Sequence, residues 1–217
     1  MKKVILISLV LLMNFIYQGR SSAEETVQSI GIVVFDGVLT SEVAAPVEVF
    51  GYEDSGFRTY LISEKKGIVR TQEGLKLEVD FSFSDSPDLN VLIVPSSYDV
   101  EGIMNNEAIV SYVRTQAQKA DYLASNCAGA YIMGAAGLLD HRQVVTYVGG
   151  GTGLQEKFPD ARVQDDEQHN IMVDGNYVSS NGGLVSYEAA FKLLEMLKGK
   201  SVADARKEET YYNRLVQ

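Results

Sequence analysis

The chain has 217 residues, 29 acidic against 19 basic, and a single cysteine. That length suits one domain with a sizeable core, while a net charge of −10 repels phosphate backbones and anionic membrane surfaces. One cysteine excludes an internal disulfide, and two histidines without metal-ligand spacing offer no metal site.

The first recognisable segment lies outside that domain. Lys2 and Lys3 precede an apolar run from Val4 to Phe15, and "RSSA" then sets small residues at Ser21 and Ala23. This reads as a secretory signal peptide on residues 1–23, cleaved after Ala23, with residues 24–217 as the mature domain. The run is short for a spanning helix; retention as an uncleaved anchor is the alternative. The expectation is an exported protein, periplasmic or secreted, with no nucleic-acid partner and no membrane contact after cleavage.

"IGIVVF" (Ile30 to Phe35) predicts a buried strand ended by Asp36-Gly37, which shape the first turn. "TSEVAAPVEVFGY" predicts a helix capped by Thr40 or Ser41 and broken near Pro46. "FRTYLIS" (Phe57 to Ser63) is a second strand, "IVRTQEGLKLEVDFSF" a hairpin turning at Glu73-Gly74, and "VLIVP" (Val91 to Pro95) an apolar strand followed by the polar loop "SSYDVEG". Ile109, Val110, Val113 and Ala117 then recur at helical spacing.

"YLAS" (Tyr122 to Ser125) is a strand, "AGAYIMGAAGLL" a helix, "QVVTYV" a strand, and "GLQEKF" a short helix stopped by Pro159. "NIMVDGNYVSS" predicts a hairpin about Asp174-Gly175. Leu184, Ala189, Leu193, Leu194 and Leu197 mark the stripe of an amphipathic helix ended by Gly199, and Val202 to Leu215 a last polar helix. Apolar strands alternating with helices predict an α/β fold. It is a three-layer αβα sandwich with a doubly wound, mostly parallel sheet, and such sheets gather chemistry at the carboxyl ends of their strands.

Cys127 sits where "YLASN" gives way to the helical run. As filler it would be a small buried hydrophobe, yet a spare thiol is a liability in an oxidising compartment. A nucleophile on a sharp strand-to-helix turn projects into the crevice, and Gly129 permits close backbone packing there. The helix N-terminus predicts a lowered thiol pKa and amides able to hold a developing oxyanion.

Five segments in order, "IGIVVFDGVLTSEVAAPVEVF", "VLIVP", "ASNCAGAYIMGAAGLLDHRQVVTY", "FPDARV" and "YVSSNGG", resemble the ThiJ/PfpI superfamily. This is a flavodoxin-like, class I glutamine amidotransferase-like fold. The resemblance covers nearly all of the chain after residue 23 and is nearest to isonitrile hydratases and the amidase-like domains of AraC-type regulators. After Gly199 too little chain remains for a helix-turn-helix module.

The resemblance implies Cys127 as the reactive cysteine and Glu42 as the acid reaching its sulfur. It also implies a small-molecule substrate, a homodimer, and no metal or organic cofactor. Two departures stand out. Histidine positions of many relatives hold Tyr147 and Ala128, so no Cys-His pair is present, and Tyr147 either orients a ligand or packs. "VPSSY" carries serines where relatives often have two glycines, which leaves the Ser97 N–H as a weaker oxyanion donor beside the amides near Cys127.

His141 and His169 read as surface residues, and "GGGTG" (149–153) as a flexible pocket rim, because the phosphate-loop Gly-Lys-Ser/Thr is missing. The leading expectation is a cysteine-dependent hydratase or hydrolase acting on a small electrophile, isonitrile hydratase- or amidase-like. The alternatives are a non-catalytic small-molecule-binding protein or an oxidant sensor using the same cysteine pocket.

Overall fold

The computed structural model describes residues 27–215; the proposed signal segment, residues 1–23, lies outside them. A seven-stranded sheet is built from β1 (Gln28–Val33), β2 (Phe57–Ser63), β5 (Phe81–Ser82), β6 (Val91–Val94), β7 (Tyr122–Asn126), β10 (Ile171–Asp174) and β11 (Tyr177–Ser180). Its spatial order is β10-β11-β7-β6-β1-β2-β5. Only the β10–β11 pair is antiparallel. Two small ribbons stand apart, β3 (Ile68–Arg70) with β4 (Lys76–Glu78), and β8 (Gln143–Val144) with β9 (Arg162–Val163).

The helices are α1 (Thr40–Phe50), α2 (Val100–Met104), α3 (Glu107–Ala117), α4 (Gly129–Ala135), α5 (Gly151–Lys157), α6 (Val185–Lys198) and α7 (Lys200–Glu209), with a 3₁₀ turn at Tyr212–Arg214. Every residue of β6 is buried, as are Ile30, Ile32 and Val33 of β1. Strands covered on both faces read as continuous apolar runs rather than alternations. The expected three-layer, doubly wound sheet is what forms.

Helix α1 runs unbroken through Pro46, contrary to the break expected there. An interior proline costs about 3 kcal/mol through its missing N–H and its ring. Here α1 packs against α6 and buries Val43, Ala45, Val49 and Phe50. At about 1.5–3 kcal/mol for each large apolar side chain, that burial outweighs the proline. The cap also differs: Leu39 precedes the helix without a side-chain bond. Its first turn is instead held from outside, where Thr40 N–H donates to Glu73 Oε2 (3.0 Å) in the β3–β4 turn.

Other boundaries move for local reasons. "QVVTYV" pairs only at Gln143–Val144, because Val145 N–H donates to Ser179 Oγ (3.0 Å) and leaves the ladder. The loop after β6 contains α2, capped by Asp99 Oδ1, which accepts from Gly102 N–H (3.0 Å). Leu184 is 79% exposed, off the buried stripe, since it precedes the first turn of α6. The last polar stretch divides into α7 and the 3₁₀ turn.

Candidate active site at the carboxyl end of β7

From β1 the chain crosses to β2 on one side, and β6 and β7 fill the other. That reversal makes a crevice at the carboxyl ends of β1 and β6, where doubly wound folds place ligands. Three loops converge there: β1 to α1 brings Glu42, the end of β6 brings Ser96, and the end of β7 brings Cys127.

Cys127 has φ +52°, in the left-handed region that a non-glycine residue seldom occupies. Such strain costs about 1–3 kcal/mol and persists only where the surroundings impose it. Here Cys127 N–H donates to Ser180 O (2.8 Å), and its carbonyl accepts from Thr146 Oγ1 (2.8 Å). The turn places the half-buried thiol between strand and helix as the elbow geometry predicts. Gly129 is required by close approach: a Cβ there would overlap the Val94 carbonyl oxygen and stand 3.0 Å from that of Pro95. Ala128, 1% exposed, turns its backbone N–H toward the sulfur.

Glu42 is fully buried. Its Oε2 accepts from Ser96 N–H (2.6 Å) and its Oε1 from Gly183 N–H (3.2 Å). Gly182, at φ +81°, shows how near the two side chains lie: a Cβ there would overlap both Cys127 Cβ and Glu42 Oε1. The carboxyl and the thiol are therefore neighbours across one glycine.

Burial pushes the Glu42 pKa up, and the hydrogen bonds from Ser96 and Gly183 resist the shift only in part. The thiol moves against the expectation of a lowered value. Burial first, and the Glu42 charge second, push Cys127 up to about 11, despite the opposing influence of the nearby Ser96 hydroxyl and the Ala128 amide. Desolvation of a sulfur anion beside a carboxylate outweighs the short helix behind it. At neutral pH Cys127 is a thiol, not a standing thiolate, beside a carboxyl whose proton affinity is raised.

Ser97 is 5% exposed, but its hydroxyl accepts from Asp99 N–H (3.1 Å) and its backbone bridges Val38. It lines a separate cavity of about 440 Å³ with Asp36, Lys66 and Asn106. The serine beside the thiol and carboxyl is Ser96. Tyr147 has its ring face against Gly150, where a Cβ would strike it, and a centroid 6.3 Å from that of Tyr131. The ring packs, and the hydroxyl bears on that of Tyr131, so both roles stay open to it.

His141 and His169 are exposed. The glycine run is pinned: Gly149 N–H donates to Asp166 Oδ1 (3.1 Å) and Gly151 N–H to Asp166 Oδ2 (2.7 Å). A carboxylate already occupies the amides that a phosphate would need. Ser96, one of the two serines of "VPSSY" read as narrowing the pocket or adding a hydroxyl, does reach the site, while Gly182, Gly183 and Thr146 shape it without having been singled out from the sequence. The one available signal was "NGG", a glycine pair at the end of an apolar strand, which marks close backbone approach.

Comparison with known proteins agrees with this fold. The model of the DJ-1/PfpI family matches residues 28–196. The isonitrile hydratase of Pseudomonas putida is 28% identical over 80% of this chain and 74% of its own length. Deglycase PfpI of Pyrococcus furiosus is 29% identical over 66% of this chain and 86% of its own. Among solved structures, a ThiJ/PfpI family protein from Pseudomonas syringae superposes with a TM-score of 0.77 at 20% identity, covering 89% of this chain and 80% of that one.

Proposed function

The chain belongs to the DJ-1/PfpI family, and on that premise we propose that it is a cysteine-dependent enzyme that hydrates or hydrolyses a small electrophile, isonitrile hydratase- or amidase-like. The observation that supports the reading most is the juxtaposition of a strained Cys127 with a fully buried Glu42 across Gly182.

Glu42, its basicity raised by burial, takes the thiol proton as sulfur attacks the substrate carbon. For an isonitrile, one carbon–sulfur bond forms at the terminal carbon, one π bond to nitrogen opens, and Glu42 returns the proton to that same carbon, leaving a thioimidate. Water then adds across the remaining C=N bond, one of its protons going to nitrogen and the other back to sulfur as the carbon–sulfur bond breaks, so that a formamide leaves and the thiol is restored. With an amide, Glu42 instead protonates the departing amine, the carbon–nitrogen bond breaks, and water hydrolyses the thioester. The Ala128 amide faces the sulfur and donates to charge developing near it; the Ser97 amide is the weaker oxyanion candidate, and Gly129 keeps the elbow close to β6. No cofactor is called for in this scheme. The oxidant-sensing alternative is disfavoured by the thiol being held protonated, since the thiolate is the form that oxidants attack.

The test is turnover on a panel of an isonitrile, a primary amide and an α-ketoaldehyde. Wild type should turn over at least one, Cys127→Ala none, and Glu42→Gln about 10²–10⁴-fold more slowly. Turnover surviving in Cys127→Ala would refute the mechanism; binding without turnover in wild type would favour a non-catalytic receptor.

The same reading includes export and pairing. We propose cleavage after Ala23 and a homodimer in solution. Intact mass of the exported protein should begin at Glu24, and sedimentation should give twice the chain mass; a retained segment or a monomer would correct these two points separately.

A further inference from the structure

Five buried side-chain atoms among the described residues lack a hydrogen-bond partner: Gln28 Oε1, Ser96 Oγ, Gln116 Oε1, Ser186 Oγ and Arg206 Nε. Of the five, Ser96 Oγ stands beside two titratable groups of the site. Ser96 is fully buried. Its backbone is fixed at both ends of the residue, with N–H donating to Glu42 Oε2 (2.6 Å) and C=O accepting from Leu39 N–H (3.2 Å). The hydroxyl is near enough to Cys127 and Glu42 to lower the pKa of each, yet it completes a hydrogen bond with neither. Burying an unpaired hydroxyl costs free energy, and such a group in a folded protein calls for an explanation.

We propose that Ser96 is the third member of the Cys127–Glu42 pair, a fixed hydroxyl donor that turns onto the sulfur as its proton leaves. The inference rests on the cysteine–glutamate reading and adds to it the residue that stabilises the sulfur anion. Glu42 opposes that anion by charge, and the Ala128 amide from the elbow itself favours it. The other carboxylate bearing on the pair is Glu73, in the β3–β4 turn, which acts on Glu42. A neutral donor at position 96 favours the anion without adding charge to a buried site. No bond of Ser96 is made or broken: the proton passes from sulfur to Glu42, and Ser96 keeps its own.

The experiment is the pH profile of Cys127 alkylation by iodoacetamide, which needs no substrate, in wild type, Ser96→Ala, Ser96→Thr and Glu42→Gln. Ser96→Ala should move the midpoint up by about one pH unit, making alkylation about tenfold slower below it. Ser96→Thr, which keeps the hydroxyl, should restore most of the rate. Thermal stability of Ser96→Ala should be unchanged or higher, because an unpaired buried hydroxyl has been removed. A Ser96→Ala profile that superposes on wild type, with Glu42→Gln shifted, overturns the role of Ser96 and leaves the pair standing. Profiles unmoved in both variants overturn the pair and Ser96 together.

Discussion

Glu42 shows how a single residue can be costly to the fold and useful to the chemistry. Its folded pKa lies above the ordinary 4.5, chiefly through burial. The folded state therefore holds a proton that the unfolded chain has released. Stability is fullest below about pH 4.5 and falls as pH rises through the folded value. Glu42→Gln does not titrate, so the stability of wild type relative to this variant should decline as pH rises from 4 to 8. Paired melting curves across that range check it, and a constant difference would mean that Glu42 ionises as freely in the fold as in the open chain. Cys127 drew notice in the sequence as a lone thiol at a strand–helix boundary, whereas Glu42 entered only through the family resemblance, since by its position alone it is an acid in the first turn of a helix. The direction of the thiol shift was not legible there. It depends on how deeply the sulfur is buried and on which carboxylate faces it, and neither quantity is local in sequence.

At the scale of elements, strands were the most legible. Phe57–Ser63 forms as expected to the residue, and Val91–Val94 within one, because four or more consecutive apolar or β-branched residues between turn signals leave few alternatives. The hairpin at Gly175 was legible too, since that residue takes φ +60° in a two-residue turn. Errors came where a partner from elsewhere overrides local preference. Glu73 supplies the end of α1 that Thr40 or Ser41 was expected to cap, and Ser179 withdraws Val145 from its strand. Helix α1 crosses Pro46 because its apolar face is buried against α6. In each case the deciding contact is distant in sequence, so no window around the residue contains it. The same holds for Ser96 and Gly182, whose importance lies wholly in what stands across the crevice from them.

For the whole molecule, the sheet order decides where the chemistry can happen. Because β1 lies between β6 and β2, the loops after β1, β6 and β7 open on the same edge, and each delivers one side chain to one point. Cavities of about 440 Å³ beside Asp36 and Ser97 and of about 770 Å³ beside Asp166 are lined by neither Cys127 nor Glu42. The central claim is that Cys127 is a protonated thiol, held so by burial first and by the Glu42 charge second. It is tested most directly by the alkylation rate of Cys127 against pH, in wild type and in Glu42→Gln. The account predicts a wild-type midpoint near 11, above the ordinary 9.0, and a lower midpoint once the carboxylate charge is gone. Two identical profiles with midpoints at the ordinary thiol value would contradict it.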